Sequence, residues 1–221
     1  MQLTMKLRFS IAARVALWAI GLTLLTPAAG AQTTASSAFA DAPQAIFPLL
    51  DRNTRLDMID YFNSGMSTPS ANALNGKSRI TSLTPEKLTV EMTDASTYEL
   101  SILPSKGGEN AVALITTVAT PSPDSRLSVY SADFSNNITD KVFAKPVLAD
   151  WLTPEGKKNS DEVEMLVPFL LIGYSFDPAT STLTLTNNTS RFLSADVYEI
   201  VKSYLLEKID YKWDGSKFSA K

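Results

Sequence analysis

LTVEMTDASTYELSILPSKGGENAVALITTVATPSPDSRLSVYSADF, residues 88–134, decides the fold. It reads as four consecutive β-strands, Leu88–Thr93, Thr97–Leu103, Ala111–Thr120 and Arg126–Ala132, separated by turn-forming residues. Leu88, Val90 and Met92 alternate with Thr89, Glu91 and Thr93, and Tyr98, Leu100 and Ile102 alternate with Glu99 and Ser101. A period of two predicts an antiparallel sheet with one buried and one wet face. The third strand is apolar on both faces, Val112, Leu114 and Val118 against Ala113, Ile115 and Ala119, which predicts a central position. Asp94–Ser96 and Lys106–Asn110 make the first two hairpin loops. The third is stiffer, because Pro121 and Pro123 preset φ while Asp124 and Ser125 can hydrogen-bond the local backbone. Pro121, Pro123, Asp124, Ser125 and Arg126 are therefore a candidate binding loop, since rigid scaffolds often carry ligand-binding groups on loops. A well-built turn with a local Asp124–Arg126 ion pair explains the same residues and is the favoured reading.

The N-terminus reads as a cleaved signal. Lys6, Arg8 and Arg14 form a positive n-region, Val15–Leu25 is an apolar h-region, and Ala29-Gly30-Ala31 supplies small residues before Gln32. The apolar run from Ile11 to Leu25 is interrupted by Arg14 and is shorter than the roughly 20 residues of a membrane span. Three of the 20 basic residues and none of the 23 acidic ones precede Gln32, so the remaining 190 residues carry a net charge of −6. That length suits a single α+β domain over residues 43–221, with residues 32–42 expected as a mobile leader. The expected location is the periplasm or the extracellular space. A mildly acidic chain without basic runs argues against nucleic acid and anionic lipid as partners. No segment after the signal is long and apolar enough to suggest a span.

Zero cysteine and zero histidine narrow the chemistry sharply. They remove thiol nucleophiles, histidine bases, Ser-His-Asp triads and zinc sites built from Cys or His. No cofactor or metal motif is present, and stability has to come from packing without disulfides.

Upstream of the sheet, Ile46, Leu49 and Leu50 form a short apolar turn, and Asn53 is the expected N-cap of a helix from Thr54 to about Ser64. Leu56, Met58, Ile59 and Phe62 are its expected buried stripe, with Gly65 stopping it. Asn53, Asp57 and Asp60 share the opposite face and form a candidate acidic patch, although the same spacing describes an ordinary solvated helix face. Asn75-Gly76 is a turn signal leading into a strand over Lys77–Leu83.

Downstream, Pro146–Leu152 reads as a short helix and the polar Gly156–Glu164 as an exposed connection. A buried strand from about Leu170 to Phe176 pairs with Thr182–Thr186 around an Asp177–Thr180 turn. Ser194 caps a helix burying Val197, Ile200, Val201, Tyr204 and Leu205. A hairpin then turns at Asp214-Gly215, with Tyr211, Trp213 and Phe218 as its aromatics.

Pro48-Leu49-Leu50, Arg55-Leu56-Asp57-Met58-Ile59-Asp60, Asn75-Gly76-Lys77-Ser78, Leu103-Pro104, Pro121 through Ser125, Tyr211-Lys212-Trp213-Asp214-Gly215 and Phe218 carry a family resemblance. By these residues the chain resembles DUF3256, uncharacterised exported proteins of Bacteroidales. The resemblance implies an α+β fold, an envelope address and no assigned activity.

The expected fold is α+β, a mainly antiparallel sheet of about six to eight strands with helices on one face. The C-terminal strands are expected to extend the sheet of residues 88–134. The expected function is non-catalytic binding, with another envelope protein or a glycan as partner. A carboxylate-dependent glycan hydrolase is the alternative, drawing on Asp57, Asp60, Asp124 and Asp133, and a small-ligand carrier is a third.

Overall fold

The computed structural model describes residues 33–66, 68–119 and 121–221, and the expected signal segment lies outside them. Helices α1 (Ala35–Asp41) and α2 (Arg52–Asn63) precede strands β1 (Ser70–Ala71), β2 (Lys77–Leu83), β3 (Lys87–Thr93), β4 (Ser96–Leu103), β5 (Ala111–Val118) and β6 (Asp124–Tyr130). Then follow α3 (Thr139–Val142), α4 (Ser160–Leu166), β7 (Ile172–Asp177), β8 (Thr182–Asn187), α5 (Ala195–Val201), β9 (Lys208–Trp213) and β10 (Phe218–Ala220). The architecture is α+β and antiparallel throughout. Its strands form two sheets, a six-stranded meander β1-β2-β3-β4-β5-β6 and a four-stranded one, β10-β9-β8-β7. The C-terminal strands thus do not extend the first sheet.

The position of β5 corrects the expected central placement. It is next to the edge of its sheet, and its two apolar faces belong to two different cores. Val112 and Leu114 pack with Leu88, Val90, Met92 and Leu100 beneath the helices α1 and α2. Ala111, Ala113 and Ile115 pack with Leu127, Val129 and the aromatic residues Phe176, Tyr211 and Trp213 of the second sheet. A smaller third core, Leu152, Val163, Val167, Val201 and Leu205, holds α4 and α5 together.

Residues expected as a mobile leader form α1. The Thr34 hydroxyl accepts from the Ser37 N–H at 3.2 Å, the Ala35 N–H bonds the Pro85 carbonyl at 2.8 Å, and Ala35 and Phe39 are fully buried. Small residues look like disorder in composition, yet alanine is the best helix former and lets a helix approach a sheet closely. α2 begins earlier than expected because the Asp51 carboxylate, not Asn53, caps it, accepting from the Thr54 N–H at 2.7 Å. Its buried residues are Met58 and, against expectation, Arg55, while Leu56, Ile59 and Phe62 are half-buried. Gly65 ends the helix region at φ +71°, the left-handed conformation that favours glycine. The polar stretch expected as a connection is instead a turn of 3-10 helix, Gly156–Asn159, leading into α4, and α5 stops at Val201 before Tyr204 and Leu205.

The wet face of β3 and β4 is wet only in part. β7 lies against it, and the outward N–H groups of β7 are met by side chains rather than by another strand. The Ile172 N–H bonds Asp124 Oδ1, the Tyr174 N–H bonds Ser125 Oγ, and the Phe176 N–H bonds Glu99 Oε1, at 3.0, 3.0 and 2.9 Å. An open strand edge is thereby closed by the face of a second sheet.

Candidate functional site

Four residues of the Pro121–Arg126 stretch are bonded across to β7 or to Asn188, the residue after β8. Ser122 Oγ donates to the Asn188 carbonyl at 3.2 Å, and Asn188 Nδ2 donates to the Pro123 carbonyl at 2.8 Å. Gly173 of β7 makes that closeness possible, since a Cβ there would lie 2.8 Å from Asn188 Nδ2. Ser125 Oγ also shares a hydrogen bond of 2.8 Å with Thr117 Oγ1. Asp124 makes no ion pair with Arg126, because its carboxylate is turned to the Ile172 N–H. Arg126 is exposed, and no carboxylate comes within ion-pairing distance of it among the described residues.

β6 begins inside that stretch, so Asp124, Ser125 and Arg126, expected in the loop, are its first three residues, drawn into the sheet by pairing with Val118, Thr117 and Thr116. β6 is the outer strand of its sheet. Antiparallel pairing alternates residues that bond the neighbouring strand with residues that point their N–H and C=O outward. Val129 points outward, since its N–H donates to Thr139 Oγ1 at 2.8 Å and its carbonyl accepts from the Ile138 N–H at 2.8 Å. The register along β5 and β6 has no shift, so Leu127 and Ser125 point outward as well. After Thr139 the chain leaves the edge and turns into α3, and the main chain of Ser125 and Leu127 is left facing a hollow.

That hollow has a volume of about 710 Å³ and is walled by Leu127, Thr139, Phe143 and Tyr174. A second one, of about 320 Å³, is walled by Trp151, Pro168, Phe169 and Leu170. The two share Asp124, Ser125, Lys145 and Tyr174, and so form one cleft beside the loop. Burial, followed by the charge of Asp124 and the nearby Tyr211, pushes the Tyr174 phenol up to about 12, so it remains neutral. The Trp151 indole N–H is fully buried and has no protein acceptor. The cleft therefore offers apolar walls, the two cations Arg126 and Lys145 and two residues of open strand edge.

The other candidates lie elsewhere. Asn53, Asp57 and Asp60 are exposed on α2, over the helix-side core. The described residues contain no group of three or more carboxylates placed to hold a metal ion. Asp133 accepts from Ser131 Oγ and from the Ser135 N–H and Oγ, and those bonds hold it down to about 2. A separate hollow of about 450 Å³ between α2 and β2 is lined by Met58, Phe62, Met66 and Ile80. Trp151, Phe169 and Tyr174 were not legible as site residues, because apolar residues in apolar runs carry no mark of lining a cleft rather than a core, and the lone Lys145 looks like any surface cation.

A family model described as a protein of unknown function, DUF3256, matches residues 28–218. The chain belongs to the DUF3256 family. The matched residues include the loop, β6 and every wall of the cleft. Among solved structures, a domain of an uncharacterized protein from Porphyromonas gingivalis W83 superposes on this DUF3256 chain with a TM-score of 0.72 at 17% identity. The match covers 83% of this chain and 97% of that one, and at this identity it establishes a common fold. No curated protein matches the chain. Among the described residues, no helix is long and apolar enough to cross a membrane.

Proposed function

We propose that this DUF3256 protein is an exported, non-catalytic binding module that holds another envelope macromolecule, a protein or a glycan, in the cleft beside Pro121–Arg126. The observation that carries this reading is the coincidence of an open strand edge, at Ser125 and Leu127, with the exposed, unpaired Arg126 and the exposed Lys145 in one cleft. Recognition surfaces combine apolar area with a few unsatisfied polar groups in this way. Export rests on the n-region, h-region and small-residue pattern ahead of Gln32.

Hydrolysis through paired carboxylates draws no comparable support. Asp57 and Asp60 lie on a solvated helix face, Asp133 is enclosed by its own turn, and Asp124 is bonded to β7. A general acid needs its pKa raised. The carboxylates displaced from their ordinary range here, including Asp133, Asp177, Asp210 and Asp214, are all displaced downward by hydrogen bonds.

The test is site-specific photocrosslinking in intact cells, with the reactive residue placed at Lys145, Phe169 or, as a control, Asp57. Crosslinks to the same macromolecule from the two cleft positions and none from Asp57 are expected. Equal labelling from all three positions, or none from the cleft, would remove the reading.

A further inference from the structure

From the geometry of β6 we infer that the cleft takes its partner as an added strand: an extended peptide in which apolar and acidic residues alternate. This rests on the cleft being the binding site, and it names what the site accepts. Ser125 and Leu127 together present two N–H donors and two C=O acceptors, spaced as a strand spaces them, toward the hollow. The same edge already accepts chain in this manner one step further along, where Ile138 and Thr139 bond Val129 and Asn137 bridges Tyr130. A peptide laid against Ser125 and Leu127 would continue that pairing where the chain itself departs, which is strand addition to an exposed sheet edge.

The alternation follows from which side each β6 residue faces. Paired residues on adjacent antiparallel strands point their side chains to the same face. Leu127 belongs to the core between the sheets, with Phe143 and Tyr174 beside it in the hollow. A peptide residue opposite Leu127, or opposite Ser125, would therefore set its side chain against Phe143 and Tyr174, where an apolar group fits. The intervening residue would lie beside Arg126, an exposed cation without a carboxylate partner, where an acidic group fits. Of the two carboxylates in the hollow, Asp124 is already bonded to the Ile172 N–H, and Asp140 belongs to the α3 rim.

The probe is a displayed library of random twelve-residue peptides, selected on the folded protein and followed by binding measurements on the enriched sequences. Alternating apolar and acidic residues are expected to dominate. Methylating the two peptide nitrogens that face β6 should weaken binding about tenfold or more, while methylating the nitrogen between them should have little effect. Arg126→Glu, on an exposed side chain without a packing role, should weaken acidic peptides about threefold or more and favour lysine in their place. Enriched peptides that tolerate every N-methylation overturn strand addition but leave the cleft as a binding site. A selection without enrichment, or a dimer closed through β6 in sedimentation experiments, overturns the peptide itself. Failure of the cleft as a binding site is read separately, from the crosslinking.

Discussion

Glu99 and Lys87 form an ion pair of 2.8 Å on neighbouring strands, and both are spent on the backbone of one residue of the other sheet. Glu99 Oε1 accepts the Phe176 N–H at 2.9 Å, and Lys87 Nζ donates to the Phe176 carbonyl at 2.7 Å. The pair thus does for Phe176 what a partner strand would do. Both side chains are largely shielded, at 22% exposure for Lys87 and 16% for Glu99, which sets them apart from the exposed ion pairs of the surface.

Removing one partner should therefore cost more than removing both. Glu99→Ala leaves the Phe176 N–H without an acceptor and the shielded Lys87 ammonium without its counter-charge, with only the Phe176 carbonyl to bond, and is expected to destabilise the fold by about 1–3 kcal/mol. In a double-mutant cycle with Lys87→Met, denaturant unfolding should show a coupling of about 0.5–3 kcal/mol. Additive single effects would mean that the pair does not act as a unit.

Leu114 and Ile115 are adjacent in β5 and serve opposite cores. Leu114→Ala and Ile115→Ala should each cost about 2–5 kcal/mol, because each truncates a buried side chain in a packed interior. Unfolding midpoints that move for one variant only would show that β5 does not divide two cores.

Arg55 is 2% exposed and sits near the rings of Phe39 and Phe47, with its guanidinium carbon 5.9 and 5.6 Å from their centroids. One terminal nitrogen donates to the Phe39 carbonyl at 2.9 Å, while Nε has no partner, and burial pulls the pKa down. Its volume matters more than its charge. Arg55→Met should lie within about 1 kcal/mol of the parent, since apolar replacements of buried charges are often neutral. Arg55→Ala should lose about 2–5 kcal/mol through the cavity it leaves. Equal losses in the two variants would assign the role to the charge.

The pH dependence of stability should be flat around neutrality and fall at both ends. Asp133 and Asp214 are held down to about 2, the first mainly by Ser131 Oγ and the second mainly by the Lys217 N–H. Their folded values lie below the unfolded value of about 3.9, so their contribution is present above that pH and disappears as the pH falls toward 2. Tyr174 is shifted the other way, to about 12 by burial, so its contribution is present below about 10 and disappears as the pH rises through 12. With no histidine in the chain, thermal melts should show no step between about pH 6 and 7. A step there would contradict this account.

Strands and hairpins are legible from local sequence alone. Period-two alternation in residues 88–134, proline and glycine at the turns, and short loops between neighbours leave little choice, because each pairing is local and is marked by its own residues. Local signals also placed the Ser194 cap and the Gly65 stop. The two-faced apolar pattern of β5 was visible, but its meaning was not: a strand in the middle of a sheet and a strand between two cores bury both faces alike.

The division of the strands into two sheets, and the closing of the β7 edge by Glu99, Asp124 and Ser125, come from long-range packing. Those bonds join residues 77, 48 and 49 positions apart, and nothing in a carboxylate or a hydroxyl says which distant N–H it will meet. The same holds for the cleft. Its walls come from apolar runs separated along the chain, and only their packing leaves Ser125 and Leu127 with an open edge in front of them.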